Sequence, residues 1–185
     1  VIFAIRKRTY QLSDLTIRRA TVADVLLLTK LGITTFVHAF AAYNTEEDMD
    51  LYVAAEMGVE KITAELADTG NIFFLVFDDT EAVGYAKVRD TQTPEELGGY
   101  LALEIERIYI LHTAQNKRVG STLMQYCLDY ARDRKYTLIW LGVWEHNHGA
   151  IRFYERWGFS LFGSHPFILG KDHQTDVLMK KEIDS

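Results

Sequence analysis

Cysteine is almost missing from this chain: Cys127 is the single one in 185 residues. A lone thiol cannot close an internal disulfide, so a hydrophobic core must hold the fold, and a reducing, cytoplasmic setting is expected. Cys127 falls on the apolar face of a predicted helix and reads as a small buried hydrophobe, not a nucleophile. Proline is equally scarce, with Pro94 and Pro166 each in a candidate turn. No Pro/Gly linker, repeat or low-complexity tract divides the chain. No basic patch dominates and the net charge is −6, which argues against a nucleic-acid partner. No apolar run reads as long enough to cross a bilayer, so no membrane partner is expected. The His, Cys, Asp and Glu residues match no zinc spacing, so no metal is expected. The apolar segment Val1-Ile2-Phe3-Ala4-Ile5 precedes Arg6-Lys7-Arg8, the reverse of the charge order in a secretory signal. Residues 1–13 are read as an N-terminal arm and 14–185 as one domain.

What the chain does have is a 48% hydrophobic content arranged in alternating periods. Leu15 to Ala20 reads as a strand, and Thr21-x-x-Asp24 as a capping box opening a helix through Leu27, Leu28 and Leu31. Thr45-Glu46-Glu47-Asp48 repeats that signal, and Val59 to Ala67 is a further short helix. Ile72 to Phe77 is a continuous apolar run, which predicts a buried strand with a hairpin return over Ala82 to Arg89. Tyr100 to Leu111 is extended. Simple alternation there puts Leu101, Leu103, Ile105, Arg107 and Tyr109 on one face, and Glu104, Glu106, Ile108 and Ile110 on the other. Val119 to Arg134 has helical spacing, Thr137 to Val143 is a buried strand, and Asn147 to Trp157 is a helix ended by Gly158. Phe159 to Gly163 and Val177 to Lys181 complete the strands. The class is α/β.

The most informative stretch runs from Ile108 to Ser121: strand, polar turn, helix start. Amides in the first turn of a helix lack internal partners, and the helix dipole adds partial positive charge, so the turn suits a pyrophosphate. Lys117 and Arg118 add charge at its rim. On its own this pattern also describes any crossover with a solvated basic turn.

A second stretch about thirty residues on decides between them. The pair Gln115-Asn116-Lys117-Arg118-Val119-Gly120 and Asn147, Ala150, Phe153-Tyr154, Gly158-Phe159 resembles, in order and spacing, the signatures of the GNAT superfamily of N-acetyltransferases. The likeness covers roughly Thr16 to Lys180. It implies a single domain with a mixed, mostly antiparallel sheet, splayed middle strands and flanking helices. It also implies acetyl-CoA as cosubstrate and a small-molecule amine as acceptor, and it leaves a homodimer open. One departure stands out: the family's first loop glycine is Arg118 here, where glycine would allow positive φ and a close phosphate. Thr35-Phe36, Phe40, the run Asn44 to Met49, and Glu106 to Leu111 are more loosely similar to the PaiA-type polyamine acetyltransferases.

The resemblance implies roles. Backbone amides of Gln115, Asn116, Lys117, Arg118, Val119, Gly120 and Ser121 would hold the pyrophosphate, and a free strand-edge amide among Ile108, Tyr109 and Ile110 would polarise the thioester carbonyl. Tyr154 would protonate the leaving thiolate, unless it is simply a packed tyrosine. Asn147 would bond the pantetheine arm, cap its helix, or do both. An alkylamine is mostly protonated at neutral pH, so a base is needed; Glu106 is the candidate, with Glu104 competing and ion pairing the alternative for both. His38, Asn44, Glu46 and Glu47 are candidate acceptor contacts, although acidic residues in a first helical turn also complement the helix dipole. Other acceptors remain open: a protein N-terminus, an amino acid or an aminoglycoside. So does a non-catalytic CoA sensor, which Arg118 would permit.

Overall fold

A computed structural model describes residues 15–183. The N-terminal arm expected over residues 1–13 lies outside the described residues. The chain runs β1 (Leu15–Arg19), α1 (Val25–Phe40), α2 (Glu46–Glu56), α3 (Val59–Ala67), β2 (Asn71–Asp78), β3 (Glu81–Arg89), β4 (Ala102–Ile110), α4 (Val119–Asp133), β5 (Leu138–Trp144), α5 (His148–Arg156), β6 (Ser160–Leu169) and β7 (Asp172–Glu182). Short 3-10 turns precede α1, β4 and α4.

Local chemistry starts the elements where the sequence indicates. Asp24 takes two hydrogen bonds from the Arg18 guanidinium, at 2.7 and 2.8 Å, and others from the amide and hydroxyl of Thr21. The Arg18 contact holds its carboxyl well below the usual carboxylate range, and together these bonds fasten β1 to the entry of α1. Thr45 caps α2 by accepting from the Asp48 amide at 3.1 Å.

The seven strands form one sheet in the order β1-β2-β3-β4-β5-β7-β6. All neighbours are antiparallel except β4 and β5. That parallel pair matches only Ala102–Leu138, Leu103–Ile139 and Glu104–Trp140, after which the two strands part. Helices α4 and α5 cover one face through Leu123, Met124, Cys127, Leu128 and Tyr154. On the other face α1 and α3 pack Leu28, Leu31 and Ile62 against Phe73, Leu75 and Tyr85.

Three sequence expectations need correction. Alternation along β4 is not simple. Lys87 pairs with Arg107 but Val88 pairs with Ile105, so Glu106 is an extra, bulged residue. The bulge flips the phase: Leu103, Ile105, Ile108 and Ile110 all belong to the α4 side, whereas Arg107 and Tyr109 share the opposite face with Glu104 and Glu106. The last two strands are also much longer than predicted, because Pro166 stands within β6 and not in a turn. β6 is the outermost strand, where a missing N–H is tolerated. Finally, Val22–Phe40 spans 19 residues at a mean hydropathy of 1.4, long and apolar enough to cross a membrane by length and composition, against the sequence reading. Here it packs as a core helix, with Leu28, Leu31 and Phe36 buried.

That packing is testable. Leu28 is fully buried while Leu26 is 73% exposed. Leu28→Ala should lower the unfolding free energy by ~2–5 kcal/mol. Leu26→Ala should change it by less than ~0.5 kcal/mol, both read from urea denaturation.

Candidate active site

Where β4 and β5 part, a cavity of about 1330 Å³ passes through the sheet. Its first half lies under the start of α4. The amide of Leu111 bonds Val83 on the β3 side, so alternation turns the polar groups of Ile110 and Ile108 toward the open cleft. Gln115, Asn116, Arg118, Val119, Gly120 and Ser121 line this half, with Asn147, Phe153 and Tyr154 of the α5 region opposite. Gly120 matters by its size: a Cβ there would stand 3.0 Å from Ile110 Cδ1, crowding the helix start against the strand. Arg118 occupies the left-handed region at φ 65°, as does Asn116 at φ 64°. The loop therefore keeps the glycine-like turn even with arginine present, at a cost of roughly 1–2 kcal/mol for a residue bearing a Cβ. First-turn amides, an open strand edge and a slot between them suit a pyrophosphate with a long arm carrying a thioester.

Tyr154 is buried, packed between Phe153 and Phe159, and lines the cavity. Burial pushes its phenol upward, so it remains protonated at any working pH. Asn147 both lines the cavity and caps α5, its Oδ1 accepting from the Ala150 amide at 3.2 Å. The Nδ2 end is the part that can serve a bound group. Lys117 is exposed and does not line the cavity, because the turn points it outward.

The other half of the cavity lies beneath α1 and α2 and is rich in aromatic rings. Phe36 stacks on Tyr52 at 4.6 Å, Tyr52 meets Phe167, and Phe40 meets Trp144. Its β4 wall is a network of charges. Glu106 contacts Lys87 at 2.6 Å, Arg89 at 2.9 Å and Arg107 at 3.1 Å. Glu65 takes a bidentate pair from Arg107 at 2.9 and 3.0 Å and a contact from Lys87, while Arg89 also holds Glu104. Burial alone would raise the Glu106 carboxyl, but the three cations outweigh it and hold the group below its ordinary value. A carboxylate held so low is a weak proton acceptor. Glu106 is thus placed at the cavity as expected, but in the ion-paired arrangement that was the alternative to a base. Glu104 is moved the opposite way, raised by burial despite Arg89.

The remaining expected acceptor contacts divide. His38 lines the cavity and packs against His112, the rings tilted and their centroids 4.3 Å apart. Asn44 sits one layer behind, accepting from Gln174, which does line it. Glu46 and Glu47 are not on the cavity wall. Glu47 pairs with Lys171, and Asp48 accepts from the Lys171 amide at 2.7 Å. These carboxylates pin the β6–β7 turn to α2, so they close the chamber from outside. Sequence reasoning missed the far wall altogether: His165 and Phe167 of β6, Gln174 and Asp176 of β7, Gly142 and Trp144 of β5, and Tyr52 and Glu56 of α2. The polar i, i+2 spacing of Gln174 and Asp176 is the available signal, and it lies just before Val177, where the sequence reading starts the strand.

A donor slot at a helix start, joined through split strands to an enclosed chamber, defines a group-transfer enzyme that brings an anionic carrier and an acceptor together from opposite sides. The sequence matches the Acetyltransferase (GNAT) family over residues 34–159. It is 36% identical over 149 residues to an uncharacterized N-acetyltransferase of Lactobacillus delbrueckii subsp. lactis, covering 80% of this chain and 86% of that protein. Among solved structures it is similar to the PaiA N-acetyltransferase from Thermoplasma acidophilum in complex with coenzyme A, with TM-score 0.74, 18% identity, and 91% and 99% of the two chains covered. It is similar also to yncA from Salmonella typhimurium with its cofactor acetyl-CoA, with TM-score 0.65, 22% identity, and 94% and 96% covered. The chain belongs to the GNAT family and is an acetyl-CoA-dependent N-acetyltransferase. No group of His, Cys, Asp and Glu that could hold a metal ion occurs among the described residues.

Removing Glu106 would leave buried Lys87 and Arg107 short of counter-charge. Glu106→Gln should therefore destabilise the fold by about 3 kcal/mol. Its lowered pKa contributes stability that is complete above the ordinary carboxyl range and fades as pH falls through the folded value. The variant should accordingly show a flatter acid limb in unfolding free energy against pH.

Proposed function

We propose that this enzyme transfers the acetyl group of acetyl-CoA to a primary amine of a small cationic acceptor, with polyamines the first to test, by direct attack on the thioester. The observation that carries this reading is the continuity of the cavity, which joins the α4 amides to an aromatic- and carboxylate-lined chamber on the other face of the sheet. The amides at the start of α4 and the Arg118 side chain bind the pyrophosphate, while the Asn147 side chain orients the arm. Amides of Ile108 and Ile110 facing the cleft stabilise the oxyanion that forms as the amine attacks. The Tyr154 phenol, kept protonated by burial, gives its proton to the departing CoA thiolate.

Four features favour a cation as acceptor. Phe36, Tyr52 and Tyr109 line the chamber, and aromatic walls of this kind suit an alkylammonium. The chamber also holds a carboxylate, Asp176, and the net charge of −6 favours encounter. Looser sequence similarity to PaiA-type enzymes points the same way. Glu46 and Glu47, outside the chamber, act at most on encounter.

A thiol-release assay against an amine panel tests the acceptor class. Spermidine or spermine should turn over, with kcat/KM falling as salt rises; turnover confined to peptide N-termini or aminoglycosides would reject the polyamine assignment. Tyr154→Phe should lower kcat by ~10²–10⁴-fold while CoA affinity holds, and full kcat in that variant would remove Tyr154 from the proton path. Arg118→Glu should weaken CoA binding in calorimetry, since it sets a carboxylate beside a phosphate.

A further inference from the structure

Four carboxylates line the cavity: Glu56, Glu104, Glu106 and Asp176. Glu56 pairs with Lys61 at 2.8 Å, Glu104 with Arg89, and Glu106 with three cations. Asp176 has no lysine or arginine partner among the described residues. It is half-buried on β7, opposite Trp144 of β5 and His165 of β6. The chamber makes room for it at Gly142. A Cβ at that position would lie 3.3 Å from Asp176 Oδ2 and 3.3 Å from His165 Nε2, closer than side chains ordinarily pack. His165 Nδ1 lies 3.0 Å from the Pro166 carbonyl, which can only accept, so the hydrogen is on Nδ1 and Nε2 presents its lone pair to the same notch.

We propose that the Asp176 carboxylate receives the ammonium group of the acceptor and takes its proton, with His165 Nε2 as the outlet to solvent. This rests on the N-acetyltransferase reading of the cavity and names its missing base. An alkylammonium with a pKa near that of lysine is neutral in only about one molecule in a thousand at pH 7, so a proton must leave before attack. Asp176 accepts that proton and the freed nitrogen lone pair forms the C–N bond. Collapse of the tetrahedral adduct breaks the C–S bond and the sulfur takes the Tyr154 proton. The nitrogen sheds its second proton to Asp176, regenerated through exposed His165, and solvent reprotonates the tyrosinate. The sum is amide, free thiol and one proton released. Burial raises the Asp176 carboxyl above its ordinary value, with His165 opposing, whereas the cations around Glu106 hold that carboxyl below its own. The titratable and charged groups lining this cavity are His165 from β6, Arg89 from β3, Glu104, Glu106, Arg107 and Tyr109 from β4, His38 from α1, Tyr52 and Glu56 from α2, Arg118 before α4, and Tyr154 and Arg156 from α5.

The test measures kcat/KM against pH for the best primary amine of the panel. In Asp176→Asn it should fall by ~10²-fold at neutral pH and recover toward the amine pKa, with CoA affinity by calorimetry unchanged. Gly142→Ala displaces the carboxylate without removing it and should give a smaller loss with the same pH trend. A wild-type rate and profile in Asp176→Asn, or a loss equal at every pH, would overturn the base assignment while leaving the N-acetyltransferase reading intact. Should Asp176→Asn fail to fold or bind CoA, unchanged kcat/KM in Gly142→Ala would overturn it instead. A wild-type protein that binds CoA yet acetylates no amine would overturn both.

Discussion

The separation of β4 from β5 after Glu104 is the feature on which the rest of the molecule depends. Two parallel strands that stayed paired would seal the sheet and leave no route between its faces. Here β4 is drawn the other way. The bulge at Glu106 adds a residue and twist, and Arg107 is tied to Glu65 of α3 while Glu106 is tied to Lys87 and Arg89 of β3. β5 is meanwhile held along its whole length by β7. Each strand has a partner on its outer side, so the inner edges open without stranding either one. The exposed edge groups of β4 become the polar lining of a transfer site.

Such a site needs buried charge near an acceptor without a strong stray field. Lys87, Arg89 and Arg107 balance Glu65, Glu104 and Glu106, and each makes contacts of ion-pair length. A network with equal numbers of each charge costs desolvation but adds little net potential in the chamber. Its strength is positional: it fixes the bulge, and through the bulge the phase of Arg107 and Tyr109. Glu56 and Asp176 stand outside this balance, and of the cavity carboxylates among the described residues Asp176 is the one without a lysine or arginine partner.

The sequence was legible where one periodicity ruled. The capping signals of Thr21 and Thr45, the apolar run of β2 and the helical spacing of α4 appear where they were read. The two compact signatures were legible as neighbours: Gln115, Asn116, Arg118, Val119, Gly120 and Ser121 share one cavity with Asn147, Phe153 and Tyr154, while Lys117 does not. Legibility failed at β4, where a single bulged residue reversed the faces of everything after it; a bulge leaves no mark in composition. It failed again at β6 and β7. These strands stand at the sheet margin, and their polar residues from Ser164 to Asp176 show no clear apolar alternation. Pro166 misled for the same reason, since proline signals a turn in most contexts but is harmless on an outer strand. Glu46 and Glu47 were read as candidate acceptor contacts from charge alone, and the pairing of Glu47 with Lys171, 124 residues on, leaves no local mark in the sequence.

The boundary of the family match carries a last consequence. It ends at Phe159, the residue before β6, and so takes in the α4 turn, β5 and α5 but neither strand of the final hairpin. The shared part holds the residues that line the first half of the cavity: the turn before α4, Asn147, Tyr154 and the open edge of β4. Two segments complete the acceptor chamber, the α1–α2 corner and the β6–β7 hairpin, and they are bound to each other by Lys171 on Glu47 and Asp48 and by Gln174 on Asn44. The corner lies within the family match from residue 34 onward, whereas the hairpin lies wholly outside it. The chamber is therefore walled partly by elements inside the match and partly by His165, Phe167, Gln174 and Asp176, which the match does not reach.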